Sequence, residues 1–191
     1  MPQASPSVNN LSIGKGVMYA ATYSTLGALG AYQDLGEMPS IELEIQEETL
    51  DYLSNRSGVS EIVKQTTKTK GYSVKFKLDE LTIKNLTMYS RGTAIGNKTI
   101  HGLTTAGLAQ EYALKFVEDN PEGPNYTWYF HRTKIKSDGS MAVISEDWRG
   151  VPLIATGLRD TINNNAYPWY KLEASVTTTT TTSSSTTTTT A

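Results

Sequence analysis

The 191-residue chain contains no cysteine, which removes disulfides, thiolate nucleophiles and thiolate metal ligands together. A domain of this size buries enough surface to stand without such staples, and the absence suits a reducing compartment or an assembly built inside a cell. Histidine is scarce as well. His101 and His131 lie far apart and neither sits in a ligand-spaced motif, so both read as structural or solvent-facing. Charge of one sign in excess is also missing. Seventeen basic and nineteen acidic residues leave a formal charge of -2, which argues against strong nonspecific capture of DNA or RNA. Long apolar runs are absent too. The best stretch, Gly16 to Tyr32, is interrupted by Thr, Ser and Gly and has Lys15 as the one positive charge before it, too short for a membrane helix and a poor secretory signal. No lipidation box opens or closes the chain. Without a secretory signal, the Asn-x-Ser/Thr triplets at Asn10, Asn55, Asn85, Asn97 and Asn125 read as coincidence in an Asn- and Thr-rich chain.

What is present is alternation. Residues 1–16 read as a flexible lead-in, and Gly27, Gly30 and Gly36 disfavour a helix in the piece that follows, leaving a bent strand or packed arm. In IELEI, Ile41, Leu43 and Ile45 share one face and Glu42 and Glu44 the other, a half-buried strand. YSVKFKL places Tyr72, Val74, Phe76 and Leu78 on one face against Ser73, Lys75 and Lys77, so the two segments suit an antiparallel hairpin with cross-strand Glu–Lys pairs. Between them runs a long arm that starts from EETLDYLSNRSGVSE, Glu47 to Glu61. DELTIKNLTMYSRG changes period: Asp79 is the predicted cap, Glu80 and Lys84 support the helix, and Arg91 and Gly92 end it. Strands are expected in GLAQEYALKFVE, YTWYFHRTKI, SMAVISE and VPLIATGLRD, separated by turns at EDNPEGPN, SDG and DWRG. The sum is about six strands and one helix, a mainly β, antiparallel sandwich or barrel plugged by a short helix, with a long projecting hairpin. Thr177 to Thr190 are all Thr or Ser; composition predicts a disordered or sheet-docked extension over 174–191, with no function assigned.

Catalytic patterns are thin. Glu47 and Glu48 are neighbours in a strand and point to opposite faces, so an acid pair would need Glu48 with a distant partner. SIGKG lacks the GxxxxGK[ST] spacing of a phosphate loop, and LGALGAY lacks GxGxxG. Lys64, Lys68, Lys70, Lys75 and Lys77 are balanced by acids before them, with no interleaved aromatic row for nucleic acid. A solvated hairpin and an interface made by projecting arms are the two readings; loops beyond ~12–15 residues are uncommon unless functional or disordered. Trp128 and Phe130 suit the core, Tyr129 an exposed subunit contact, and Trp148 a turn anchor or an interface hot spot. No cofactor or metal is expected.

Residues 32 to 92 resemble the amino-terminal half of major tail tube proteins of long-tailed bacteriophages. Asp34, Leu35, Gly36 and Pro39 match the opening piece of that pattern; Glu48, Thr49, Leu50, Ser54, Arg56, Ser57 and Gly58 the second; Leu78, Asp79, Glu80, Asn85, Leu86 and Gly92 the helix segment. The likeness is looser through Asp160 and stops before the Thr/Ser tail. It implies a single tail-tube β domain over 17–173, polymerising as stacked hexameric rings into a hollow tube that conducts viral DNA during ejection without sequence-specific binding. It further implies a non-enzymatic role in a virion tail assembled in the bacterial cytoplasm, with tape measure, distal tail and tail terminator proteins as further partners. The loop at 51–61 would contact the adjacent ring or subunit, through Asp51, Tyr52, Leu53, Asn55, Arg56, Ser57, Gly58, Val59 and Glu61. Glu42, Glu44, Glu47 and Glu48 would supply lumen charge, although five lysines on the return strand depart from a purely acidic pattern. A monomeric β-sandwich module using 51–61 as a ligand loop is the alternative.

Overall fold

The computed structural model describes residues 14–24, 26–54, 58, 60–121, 124–146 and 148–174. In chain order these form β1 (Gly16–Tyr23), β2 (Gln33–Asp34), β3 (Ser40–Ser54), β4 (Glu61–Leu78), α1 (Ile83–Ser90), β5 (Thr93–Ile95), β6 (Thr99–His101), α2 (Thr105–Ala109), β7 (Glu111–Glu118), β8 (Tyr126–Ser137), β9 (Val151–Gly157) and β10 (Tyr170–Ala174). The protein is mainly β-sheet, and each strand pair is antiparallel.

The main ladder runs β2-β1-β7-β8-β9-β4-β3, with β10 added on β8. β8 is long enough to serve two neighbours on the same side: Tyr126 to Phe130 pair with β10, and Thr133 to Ser137 pair with β9. The sheet therefore forks at β8. A register shift opposite Tyr112/Leu114 lies at the fork, where a bulge bends a strand and re-aims its side chains. Among the described residues no ladder joins β2 to β3, so the path ends on two open edges rather than closing.

The alternating segments bury their apolar faces in one cluster. Met18 and Ala20 of β1, Tyr72, Val74, Phe76 and Leu78 of β4, Leu114 of β7, Phe130 and Ile135 of β8, and Val151, Leu153 and Ala155 of β9 meet there, with Met88 of α1. Across the fork, Tyr72 lies 5.7 Å from Phe130 and 5.5 Å from Tyr170, centroid to centroid, at separations where aromatic pairs add to plain burial.

Three local expectations are corrected. The N-cap of α1 is Thr82, whose side chain accepts from Asn85 N–H, and not Asp79. Asp79 is held one step too early, because its N–H donates to Glu37 O at 3.0 Å and its carboxylate faces Lys77 at 3.7 Å. The left-handed residue at the other end is Arg91 (φ 46), while Gly92 N–H donates to Thr87 O at 3.1 Å. Gly92 is required for a second reason: a Cβ there would run into His101 O. Lys84 does not turn to Glu80; its Nζ donates to Ala20 O at 3.2 Å and Gln33 O at 3.4 Å, and burial lowers its pKa against the pull of Asp34. Secondly, the segment starting at Leu108 is not yet a strand. Thr104 caps the short α2 by accepting from Gly107 N–H, and β7 begins at Glu111. Thirdly, the SMAVISE segment forms no strand; β8 and β9 pair directly with each other, which makes 138–150 their connection.

Candidate assembly interface: the projecting ribbon

β3 and β4 pair as the expected antiparallel hairpin, in a register where Ile41 faces Phe76, Leu43 faces Val74 and Ile45 faces Tyr72, while Glu42 faces Lys75. At this root the hairpin belongs to the body, because β4 also pairs with β9 from Ser73 to Leu78. Beyond Tyr72 the strand leaves β9 behind. β3 and β4 then continue together to Ser54 and Glu61, and from Glu44 to Leu53 and Glu61 to Lys70 every described side chain is exposed on both faces. At ~3.3 Å per residue β4 alone extends roughly 55 Å. Among the described residues the outer edge of β3 is unpaired throughout, and β4 has no second neighbour before Ser73.

Lateral polar contacts hold the ribbon. Lys68 Nζ donates to Glu48 at 2.7 Å and Thr69 Oγ1 to the same carboxylate at 3.2 Å. Thr67 Oγ1 donates to Glu47 at 2.6 Å, Gln65 to Asp51 at 2.9 Å, and Lys75 lies 3.6 Å from Glu44. Exposed pairs of this kind contribute only ~0–1 kcal/mol each. Register shifts at Glu48/Thr49 and Tyr52/Leu53 add an extra residue in β4 each time, which increases local twist.

Alternation places Glu42, Glu44 and Glu48 on one face and Glu47 on the other. The first face is not uniformly acidic, since Lys75 and Lys68 reach across it. Apolar side chains are distributed differently. Ile45, Leu50, Tyr52, Leu53, Ile62 and Val63 all stay between 52% and 67% exposed. Leu50 and Tyr52 share one face of the distal ribbon; Leu53 and Ile62 are direct cross-strand partners on the other. A lone two-stranded ribbon is marginal in water, and an open edge carrying apolar residues invites pairing with another chain.

Of the residues expected to make subunit contacts, Asp51, Tyr52, Leu53 and Glu61 therefore lie on this ribbon, and Gly58 has φ 77 beyond it. Asn55, Arg56, Ser57 and Val59 lie outside the described residues, as do the lead-in before Gly14 and the extension after Ala174.

A second polar feature carried no local sequence signal. Asp160 is fully buried and accepts from Tyr23 Oη at 2.8 Å, Asn164 Nδ2 at 2.9 Å and the Ile162 and Asn163 N–H groups at 3.0 and 3.2 Å. Burial pushes its pKa up, but these hydrogen bonds outweigh burial and hold it below the ordinary aspartate value. Burial, then Asp160, pushes the Tyr23 hydroxyl up to about 12. Arg132 forks onto Glu111 at 2.6 and 3.0 Å and stands 5.6 Å over the Tyr23 ring. The cluster ties the connection between β9 and β10 to β1, and every acceptor of Asp160's own chemistry is already engaged. Among the described residues no group of three or more His, Cys, Asp or Glu side chains could hold a metal ion. His131 is lowered in pKa by burial against the pull of Asp160, and its buried Nε2 has no hydrogen-bond partner among the described residues.

No helix among the described residues is long and apolar enough to cross a membrane. Among curated proteins, none matches the chain. Over residues 11–101, a span that holds the entire ribbon and α1, the chain is similar to a family described as Protein of unknown function UCP028589.

Proposed function

We propose that the chain is a non-enzymatic structural subunit with a tail-tube-like β domain, polymerising as stacked hexameric rings into a hollow phage tail tube that conducts DNA. The observation that carries this reading is the ribbon: two long strands, exposed on both faces, with six apolar side chains that no described part of their own chain covers. Ring closure satisfies such edges without the open-ended lateral growth that makes them a hazard in a monomer. The near-neutral formal charge and the mixed Glu–Lys face of β3–β4 fit a conduit that does not retain DNA. Negative-stain electron microscopy of the purified protein at high concentration tests the proposal, with hollow tubes showing six-fold end views as the expected result. A monodisperse monomer in sedimentation at the same concentration would overturn it.

One observation favours a monomeric ligand-binding module instead. A cavity of about 480 Å³ opens between Met38, Ile41 and Leu43 on one side and Phe116, Trp128 and Phe130 on the other. On that reading a monomer binds one equivalent of an apolar dye there, and Phe116→Asp abolishes the binding.

A further inference from the structure

A second exposed apolar set lies at the end of β4 away from the ribbon tip, on the β8–β9 connection. The last residue of β4, Leu78, pairs with Val151, and Asp138 N–H donates to Pro152 O at 3.0 Å. Both ends of the β8–β9 connection are thus anchored at the far end of β4, roughly 55 Å along the strand from Glu61 at ~3.3 Å per residue. On this connection Val143, Ile144 and Trp148 are 74%, 95% and 93% exposed. They are held in place. Tyr89 Oη donates to Gly139 O at 3.1 Å and accepts from Met141 N–H at 3.0 Å, and Arg149 Nη1 donates to Val143 O at 2.9 Å. Large exposed apolar side chains close together in the chain on a pinned backbone suit an interaction surface, and tryptophan is among the residue types enriched at interface hot spots.

Their position indicates what they fit. Leu50, Tyr52, Leu53 and Ile62 stand exposed at one end of the β3–β4 axis and Val143, Ile144 and Trp148 at the other. Two copies displaced along that axis bring one set against the other. Charge agrees with that contact, since Lys64 beside Tyr52 and the exposed Glu146 are of opposite sign and neither has an ion-pair partner among the described residues. A contact between two different surfaces leaves one of each free at the ends, and with copies displaced along an axis, where no rotation closes the series, it repeats as an open stack. We infer that Val143, Ile144 and Trp148 form the seat that receives the distal ribbon of the next copy along the tube axis. The inference rests on the tube reading for its partner.

Three proteins test it: Trp148→Asp, Tyr52→Asp combined with Ile62→Asp, and the wild type, each followed by electron microscopy and sedimentation. All three positions are exposed, so thermal unfolding of the variants should match the wild type. Ile144→Asp replaces Trp148→Asp if that variant melts early. The expected result is that seat and ribbon variants each form single rings, with tube yield reduced at least tenfold. Mixed in equal amounts, they form stacks of two rings and no longer, because the ribbon of one finds an intact seat on the other. Seat variants that form tubes at wild-type yield, or that pair with themselves through their ribbons, overturn the seat while leaving the tube reading standing. A wild-type protein that remains monomeric overturns both.

Discussion

The two halves of one hairpin provide the sharpest contrast in the molecule. From Ser40 to Leu43 and Ser73 to Leu78 the β3–β4 ladder is backed by β9 and by the core, and Val74 and Phe76 are buried. From Gln46 and Lys70 outward the same ladder continues with antiparallel pairing, yet its apolar side chains face water. Backbone pairing alone therefore does not explain why the distal half is extended; the root half is stabilised by burial at ~25 cal/mol per Å², and the distal half has no such return within its own subunit. Identical secondary structure serves folding at one end and contact at the other.

Substitutions in the two halves should separate these roles. The largest effect on folding belongs to the core that backs the root. Phe130 is 2% exposed and lies within 6.4 Å of the Trp128 and Tyr170 rings as well as beside Tyr72, so Phe130→Ala should destabilise by about 3–5 kcal/mol in denaturant unfolding. A loss below about 1 kcal/mol would mean that the fork is not the seat of stability.

Next is the buried carboxylate. Asp160→Asn should cost about 1–3 kcal/mol, because it removes charge-assisted acceptance from four donors in a buried site. The pH dependence carries its own sign. The folded pKa lies below the ordinary aspartate value, so the stabilisation is complete above about pH 4 and disappears as pH falls through the depressed folded value. Acid titration of stability should show this limb in the wild type and a flatter one in Asp160→Asn; parallel curves would remove Asp160 from the account.

How far the sequence carries the reader follows from which information is local. The hairpin and its two faces were legible because Ile41, Leu43 and Ile45 alternate with acids while Val74 and Phe76 alternate with lysines; its register was not, since a slip of two residues leaves every side chain on the same face. The distal exposure was not legible, since Thr66, Thr67 and Thr69 suit a strand whether or not anything covers it. β10 was missed because its five residues become a strand only against Tyr126 to Phe130. Asp79 and Thr82 both suit an N-cap, and the choice fell to tertiary contacts that tie the Asp79 backbone to Glu37. The partners Tyr23 and Asp160 lie 137 positions apart, a distance at which no periodicity carries a signal. SMAVISE had the composition of a strand, but β8 and β9 pair directly with each other and leave it as their connection.

That capping choice gives a smaller test of the root half. Thr82→Ala should lower stability by about 1 kcal/mol, whereas Asp79→Ala, losing only a 3.7 Å pair with Lys77, should stay within about 0.5 kcal/mol. The reverse ranking, measured by thermal unfolding, would return the cap to Asp79.

On the ribbon the monomer and the assembly should respond in opposite proportion. Leu50→Asp replaces a side chain that is 66% exposed, so monomer stability should move by no more than about 0.5 kcal/mol. The concentration needed for assembly should rise about tenfold, equivalent to about 1.4 kcal/mol per contact. Equal losses in both measurements would show that the distal ribbon folds back on its own body in solution and that the contrast between the halves is smaller than the structure indicates.

The smallest effect is expected at the ion pair between the two strands of the ribbon. Lys68 and Glu48 approach to 2.7 Å, but their side chains are 60% and 58% exposed, and water competes for both charges. Lys68→Ala should therefore change monomer unfolding by about 0.5 kcal/mol or less, and the difference should vanish at 1 M salt, where the screening length falls to about 3 Å. A salt-resistant loss well above that figure would place the pair in a low-dielectric setting. Among the described residues the ribbon is open to water on both faces, and a neighbouring subunit would provide that setting, so the same measurement repeated across protein concentrations reads whether this stretch of the ribbon is covered in the assembly.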